Sequence, residues 1–123
     1  MRKGIGVMAA VLLFMPATTA EARVIGKASA RGGYAVAVAA GSATKPKWVK
    51  VTVSTSPRQR AAGNWLIVCA KGFGAGTKQG GFRGTGTFTR ALRLPTRNPD
   101  ECTASATAQL ERGGKITVIL TAG

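Results

Sequence analysis

Over residues 102–110, and again over 115–122, the chain alternates side chains of two kinds almost without error, and no other pattern in it narrows the fold as far. Cys102, Ala104, Ala106, Ala108 and Leu110 share one parity, while Thr103, Ser105, Thr107 and Gln109 share the other. A period of two is that of a β-strand with one face buried, because successive Cβ atoms leave opposite sides of the pleat. The second run sets Ile116, Val118, Leu120 and Ala122 against Lys115, Thr117 and Thr121. Between the runs stands Glu111-Arg112-Gly113-Gly114, whose glycines accept positive φ, so the two are expected to pair as a hairpin.

The beginning of the chain is of a different kind. Arg2 and Lys3 precede an apolar run over residues 4–15, and a small-residue tail ends in Ala20-Glu21-Ala22, the three parts of an export signal. About a dozen apolar residues are too few to span a bilayer, which takes about 20. Residues 1–22 are therefore read as a cleavable signal-peptide helix, leaving one domain over 23–123, no membrane span after cleavage, and a secreted or periplasmic location. In such a compartment the two cysteines, Cys69 and Cys102, are expected to form a disulfide. Closing a loop of about 34 residues constrains the unfolded chain by about 3–4 kcal/mol, a large share of what a small domain has.

The rest of the domain is read in order. Residues 23–33 are small, basic and without period, an extended arm or a poorly held first strand. Residues 34–40 are apolar on both parities, a strand buried on both sides, and 41–46 are turn material. Residues 48–54 form a strand with Val49, Val51 and Val53 inward, and a basic, proline-led loop follows over 56–63. Residues 64–70 look like a central strand, with Trp65, Ile67 and Cys69 on one parity. Seven glycines between Lys71 and Gly86 suggest a long mobile loop or a ragged edge hairpin. Alternation returns over 85–94, where Arg90 shares the parity of Phe88 and Leu92 and is expected either to hold its head in water or to pair with Asp100 or Glu101.

With no 3.6-residue stripe, this is an all-β chain: a small antiparallel β-sandwich of two sheets and six to seven strands. Trp65-x-x-x-Cys69, then Cys102-x-Ala104-x-Ala106-x-Ala108 and a final glycine-turned strand, resembles bacterial secreted domains of immunoglobulin-like or fibronectin-like type. The resemblance covers residues 33–122 and is one of architecture. It departs from immunoglobulin domains in that the first cysteine follows the tryptophan and no tyrosine stands two residues before Cys102.

Chemistry is scarce. There is no histidine, and once the signal is removed the carboxylates are Asp100, Glu101 and Glu111. Adjacent side chains on a strand point apart, so Asp100 and Glu101 do not face each other as an acid/base pair and are read as charges balancing Arg97 or Arg90. Neither a zinc nor a calcium site can be assembled from such a set. The glycine-rich stretch from Lys71 to Lys78 lacks the Gly-Lys-Ser/Thr ending of a phosphate loop. The chain is accordingly read as no enzyme, with no cofactor.

Charge remains. Without Arg2, Lys3 and Glu21, 16 basic and 3 acidic residues leave a net charge of about +13, a field that draws anionic polymers. Lys45, Lys47, Trp48 and Lys50 set an aromatic among cations, and Arg58 and Arg60 add a basic loop; these six are the candidate anion-binding residues. The expected function is non-enzymatic attachment to an anionic cell-envelope or extracellular polymer, with no specific nucleic acid as partner. The alternative is a secreted effector, a cationic antimicrobial protein or a protease inhibitor.

Overall fold

The computed structural model describes residues 22–123, so the signal peptide expected over residues 1–22 lies, save for Ala22, outside the described residues. Among the described residues eight strands follow one another without a helix: β1 (Arg23–Gly32), β2 (Val36–Thr44), β3 (Val49–Ser56), β4 (Arg60–Lys71), β5 (Gly74–Thr85), β6 (Phe88–Leu92), β7 (Glu101–Leu110) and β8 (Gly114–Ala122). They form two four-stranded sheets in the orders β1-β8-β3-β6 and β2-β7-β4-β5, antiparallel throughout. The arrangement is a chain doubled back at the β4–β5 turn, so that β4 lies on β5, β3 on β6, β2 on β7 and β1 on β8. Rolling that doubled ribbon adds the β8–β3 and β7–β4 pairings and gives the order of an eight-strand jelly roll.

The expected all-β sandwich of two antiparallel sheets is present, with eight strands where six to seven were expected. The immunoglobulin-like likeness goes no further than that. Strand order is not that of an immunoglobulin domain, and Cys69 and Cys102 are register partners on neighbouring strands of one sheet, Cα atoms 4.0 Å apart, instead of joining two sheets.

The run over 102–122 is where expectation and structure differ most. Both halves are strands with the expected inward parity, but β7 and β8 belong to different sheets and face each other across the core. Alternation reports which face is buried, and it is silent on whether the covering layer comes from the side or from above. Gln59 shapes the crossing: its amide Nε2 donates to the Gly113 carbonyl at 2.9 Å and its Oε1 accepts from the Arg112 N–H at 2.8 Å. The true hairpin is β4–β5, turned by Gly72 at φ 59° and Phe73. Asp100 Oδ2 accepts from the Gly72 N–H at 2.7 Å, so this carboxylate holds a turn and does not pair with Arg97 or Arg90.

The two inner faces are unlike. The β1-β8-β3-β6 sheet contributes the bulk: Val49, Val51, Val53, Ile116, Val118 and Leu120, all buried. The opposing sheet answers largely with small residues, Ala35, Ala37, Ala39, Ala43, Ala104, Ala106 and Ala108, around Ile67, Leu110 and the disulfide. Large against small lets the layers interlock without voids. It also explains β2, which was expected to be buried on both sides. Ala37, Ala39 and Ala43 point inward, while Val36, Val38 and Ala40 are exposed.

On the side where β1 lies over β2 the sheets meet backbone to backbone. A Cβ added at Gly41 would run into the Ile25 carbonyl oxygen, and one at Gly26 into the Ala40 carbonyl oxygen, so this margin is closed by glycines. Residues 41–44, expected to turn, continue β2 and pair with β7 from Gly41 opposite Ala104 to Thr44 opposite Glu101. Gly41→Ala is expected to force the margin apart and to destabilise the domain by about 1–3 kcal/mol, as overpacking does, which a urea unfolding curve measures.

Two more segments settle alternatives that the sequence left open, each in favour of a strand. The arm at 23–33 is a full edge strand, paired with β8 from Arg23 opposite Ala122 to Gly32 opposite Gly114, with a bulge between Val24 and Gly26. The glycine-rich stretch is the edge strand of the one hairpin, β5, paired with β4 along its whole length.

Candidate functional site

The outer face of β1-β8-β3-β6 is a plane of hydroxyls set with cations. Register places Ser29 beside Thr117 and Ser54, and Thr52 beside Ile119 and Thr89. Three hydroxyl pairs touch: Ser29 Oγ with Thr117 Oγ1 at 3.0 Å, Thr52 Oγ1 with Thr89 Oγ1 at 2.9 Å, and Thr87 Oγ1 donating to Ser54 Oγ at 3.3 Å. Lys27, Arg31, Lys50 and Lys115 alternate outward from the same strands. Arg31 and Lys115 are direct register partners, a like-charge pairing that is unfavourable in an isolated sheet. None of the three carboxylates of the described residues lies on this sheet. Asp100 and Glu101 stand at the start of β7, and Glu111 follows its end, 3.9 Å from Arg60 with both side chains exposed.

The six residues nominated from sequence divide between the two ends of the sandwich. Lys45, Lys47, Trp48 and Lys50 lie together where β3 begins. Lys50 Nζ stands 4.7 Å from the centroid of the Trp48 ring, and Trp48 exchanges two backbone hydrogen bonds of 3.1 Å with Gly123. Lys47 also lines a cleft of about 500 Å³ with Arg97 and Pro95. Arg58 and Arg60 flank the start of β4 at the far end, beyond the eight residues of β3, a span of roughly 26 Å. Arg58 lies over Gly86 there, and Arg60 faces Glu111. The cations that sequence reasoning missed are Lys27, Arg31 and Lys115. Arg31 and Lys115 are far apart in the chain, and only the β1–β8 pairing brings them together.

The outer face of β2-β7-β4-β5 is different in kind. Its middle rows are uncharged: Val38, Thr107, Asn64 and Gly81, then Ala40, Ser105, Leu66 and Gln79, then Ser42, Thr103, Val68 and Thr77. At its upper end Tyr34 walls a cleft of about 660 Å³ with Arg60, Arg83, Gln109 and Glu111. Tyr34 has φ 55° and is 67% exposed. A bulky residue is costly in that conformation, by roughly 1–3 kcal/mol, and such positions concentrate at ligand sites.

The remaining margin of the sandwich, between β5 and β6, is open. Phe82 and Phe88 meet edge to face at 6.1 Å near one end, and Pro95 lies close to Gly76 at the other. Between them is a cleft of about 380 Å³ lined by Trp65, Lys78, Gly80, Arg90 and Arg93, among others. Arg90 does not pair with Asp100 or Glu101; it is exposed, as the other alternative expected, and its head is tethered as well. Its Nη2 donates to the Arg83 carbonyl at 2.9 Å and its Nη1 to the Thr89 carbonyl at 3.1 Å, and its guanidinium lies 4.9 Å from the Phe88 centroid.

No protein-family model matches the chain, and no curated protein matches it. Among solved structures it is similar to a carbohydrate-binding module, TmCBM61, solved in complex with β-1,4-galactotriose, at 11% identity and a TM-score of 0.40 over 83% of this chain and 88% of that one.

Proposed function

We propose that the protein is an exported, non-enzymatic binding module that attaches to an anionic cell-envelope or extracellular polymer through the outer face of β1-β8-β3-β6. The observation that carries this reading is the placement of Lys27, Arg31, Lys50 and Lys115 on one sheet face with no carboxylate among them, including the opposed pair Arg31 and Lys115. A polyanion laid along the face offsets that repulsion and releases the counterions it had held. The hydroxyl rows between the cations supply neutral donors and acceptors for the same chain. Trp48 and Lys50 extend the surface toward Lys45 and Lys47 at one end.

The test is salt elution of the exported chain from an anionic polysaccharide matrix. Retention is expected to fall steeply with salt. Replacing Lys27, Arg31, Lys50 and Lys115 by Gln is expected to lower the slope of log affinity against log salt by roughly 3 for a dense polyanion. The same number of Gln replacements at Arg58, Arg60, Arg97 and Arg112 is expected to change it less. Equal loss in both sets means that net charge alone acts, and retention unchanged up to several hundred millimolar salt means that the reading is wrong.

A further inference from the structure

The two margins of the sandwich are built differently, and the difference leaves a vacancy in the wall. Where β1 meets β2, glycines bring the sheets into backbone contact. Where β5 meets β6, a strand of twelve residues faces one of five, so much of β5 has no strand across from it. An exposed strand edge invites unwanted pairing, and proteins cover or charge it. Here the cover is partial. Arg90 takes up the Arg83 carbonyl toward one end, and the Pro95 ring covers Gly76 toward the other. The stretch from Lys78 to Gly81 between them borders the cleft.

The lining of that cleft is specific. Trp65, on the inward parity of β4, stands in register with Gly80, and its indole lies flat enough on that residue that an added Cβ would be 2.9 Å from Cζ2. Covering an edge glycine with a cross-strand aromatic stabilises a sheet, and this is the structural use of Trp65. It does not account for the cations. Lys78, Arg90 and Arg93 all border the same space, and no carboxylate lines it. Arg90 is held in place by two backbone carbonyls and the Phe88 ring, which leaves other N–H groups of its five-donor fork for a ligand. An indole beside three cations, one of them preorganised, suits a ligand that joins a flat, weakly polar ring face to an anionic substituent.

We propose that this cleft is a subsite for a single acidic sugar residue. The C–H face of the ring packs on Trp65, and its carboxylate or sulfate is held by Arg90 and Arg93, with Lys78 alongside. The proposal rests on the polyanion-binding reading above and adds to it a point of chemical recognition, separate from the basic face. A nucleic acid base also stacks on tryptophan. The acidic sugar is preferred because the disulfide suits an oxidising compartment, where acidic polysaccharide is the common polyanion.

The test uses fluorescence. Trp48 and Trp65 are the two tryptophans of the chain, so Trp48→Phe leaves Trp65 as the reporter. A hexasaccharide of galacturonate and a sulfated hexasaccharide from heparin are titrated separately, to distinguish carboxylate from sulfate. Neutral maltohexaose, inorganic sulfate and a single-stranded DNA hexamer serve as comparisons. A saturable change with at least one acidic sugar is expected, weakened about tenfold in Arg90→Gln and not reproduced by maltohexaose or sulfate. By calorimetry, Trp65→Phe, which keeps the charge and an aromatic over Gly80, is expected to bind the same hexasaccharide more weakly while eluting from the polyanion matrix at unchanged salt. Absence of a saturable change with both acidic sugars, while matrix retention persists, overturns the subsite and leaves the basic face standing. An equal response to inorganic sulfate reduces the cleft to an anion hole, and a stronger one to DNA overturns the sugar. Loss of matrix retention with the Trp65 response intact would instead overturn the basic face.

Discussion

Ala106→Asp is expected to abolish the cooperative folded state. Ala106 is 1% exposed on the inner face of β7, in register between Ala39 on β2 and Trp65 on β4, where the sheets are kept thin by small side chains. Among the described residues no cation is buried in the core, so the new carboxylate has either to stay charged without a buried partner or to take up a proton and remain a polar group too large for the space. An unpaired buried charge costs about 3–5 kcal/mol, and overpacking adds about 1–3 kcal/mol. Together these reach most or all of the roughly 5–15 kcal/mol that a domain has. Thermal denaturation followed by circular dichroism should show no sigmoidal transition, whereas Ala106→Ser, smaller and able to bond its own backbone, should retain one at a lower midpoint. A soluble Ala106→Asp variant with an unchanged midpoint would place Ala106 on the wrong face.

Removing the disulfide is the second large effect. The loop it closes holds β5, β6 and most of the β4–β5 hairpin, and its sequence separation of 33 corresponds to about 3–4 kcal/mol of constraint on the unfolded chain. Cys69→Ala with Cys102→Ala is expected to lower the melting temperature by roughly 15–25 °C in a domain of this size. Cys69 and Cys102 are 0% and 1% exposed, so a reductant reaches the sulfurs only when the sandwich opens. Reduction by dithiothreitol should therefore run at the opening rate and accelerate in sub-denaturing urea. Rapid reduction in plain buffer, with no change on adding urea, would contradict the buried placement.

How much of this was legible in sequence depends on what side-chain alternation can carry. Val49, Val51 and Val53 announced an inward face, as did Ile67 with Cys69 and Ile116 with Val118, and all are buried. What alternation could not carry was adjacency. The doubled-over ribbon puts β7 beside β2 and β4, and β8 beside β1 and β3, pairings fixed by contacts far apart in the chain. Glycine hid β5, because a strand with few side chains has little to alternate, and its partner Trp65 supplies the cover that its own residues lack. Alanine misled in β2. Both parities are apolar, and the close approach at Gly41 leaves room inside for methyl groups only, so the larger valines went outward. Of the candidate binding residues, Trp48 and Lys50 were readable as neighbours two apart at the start of one strand. Arg31 opposite Lys115, and Trp65 beside Arg90, needed the fold.

The pairing of β1 with β8 also bears on how the molecule is made. A chain made from its N-terminus has β1 in hand from the start and that strand's partner only with the last strand of the sandwich, since β8 begins four residues after β7 ends and runs to Ala122. The second sheet waits almost as long, because β7 is the strand that joins β2 to β4. Pairings between distant segments are slow to form in any case. Until β8 has been made, β1 has no partner in its own sheet, so the first strand of the sandwich cannot be fixed in place before the last one is available.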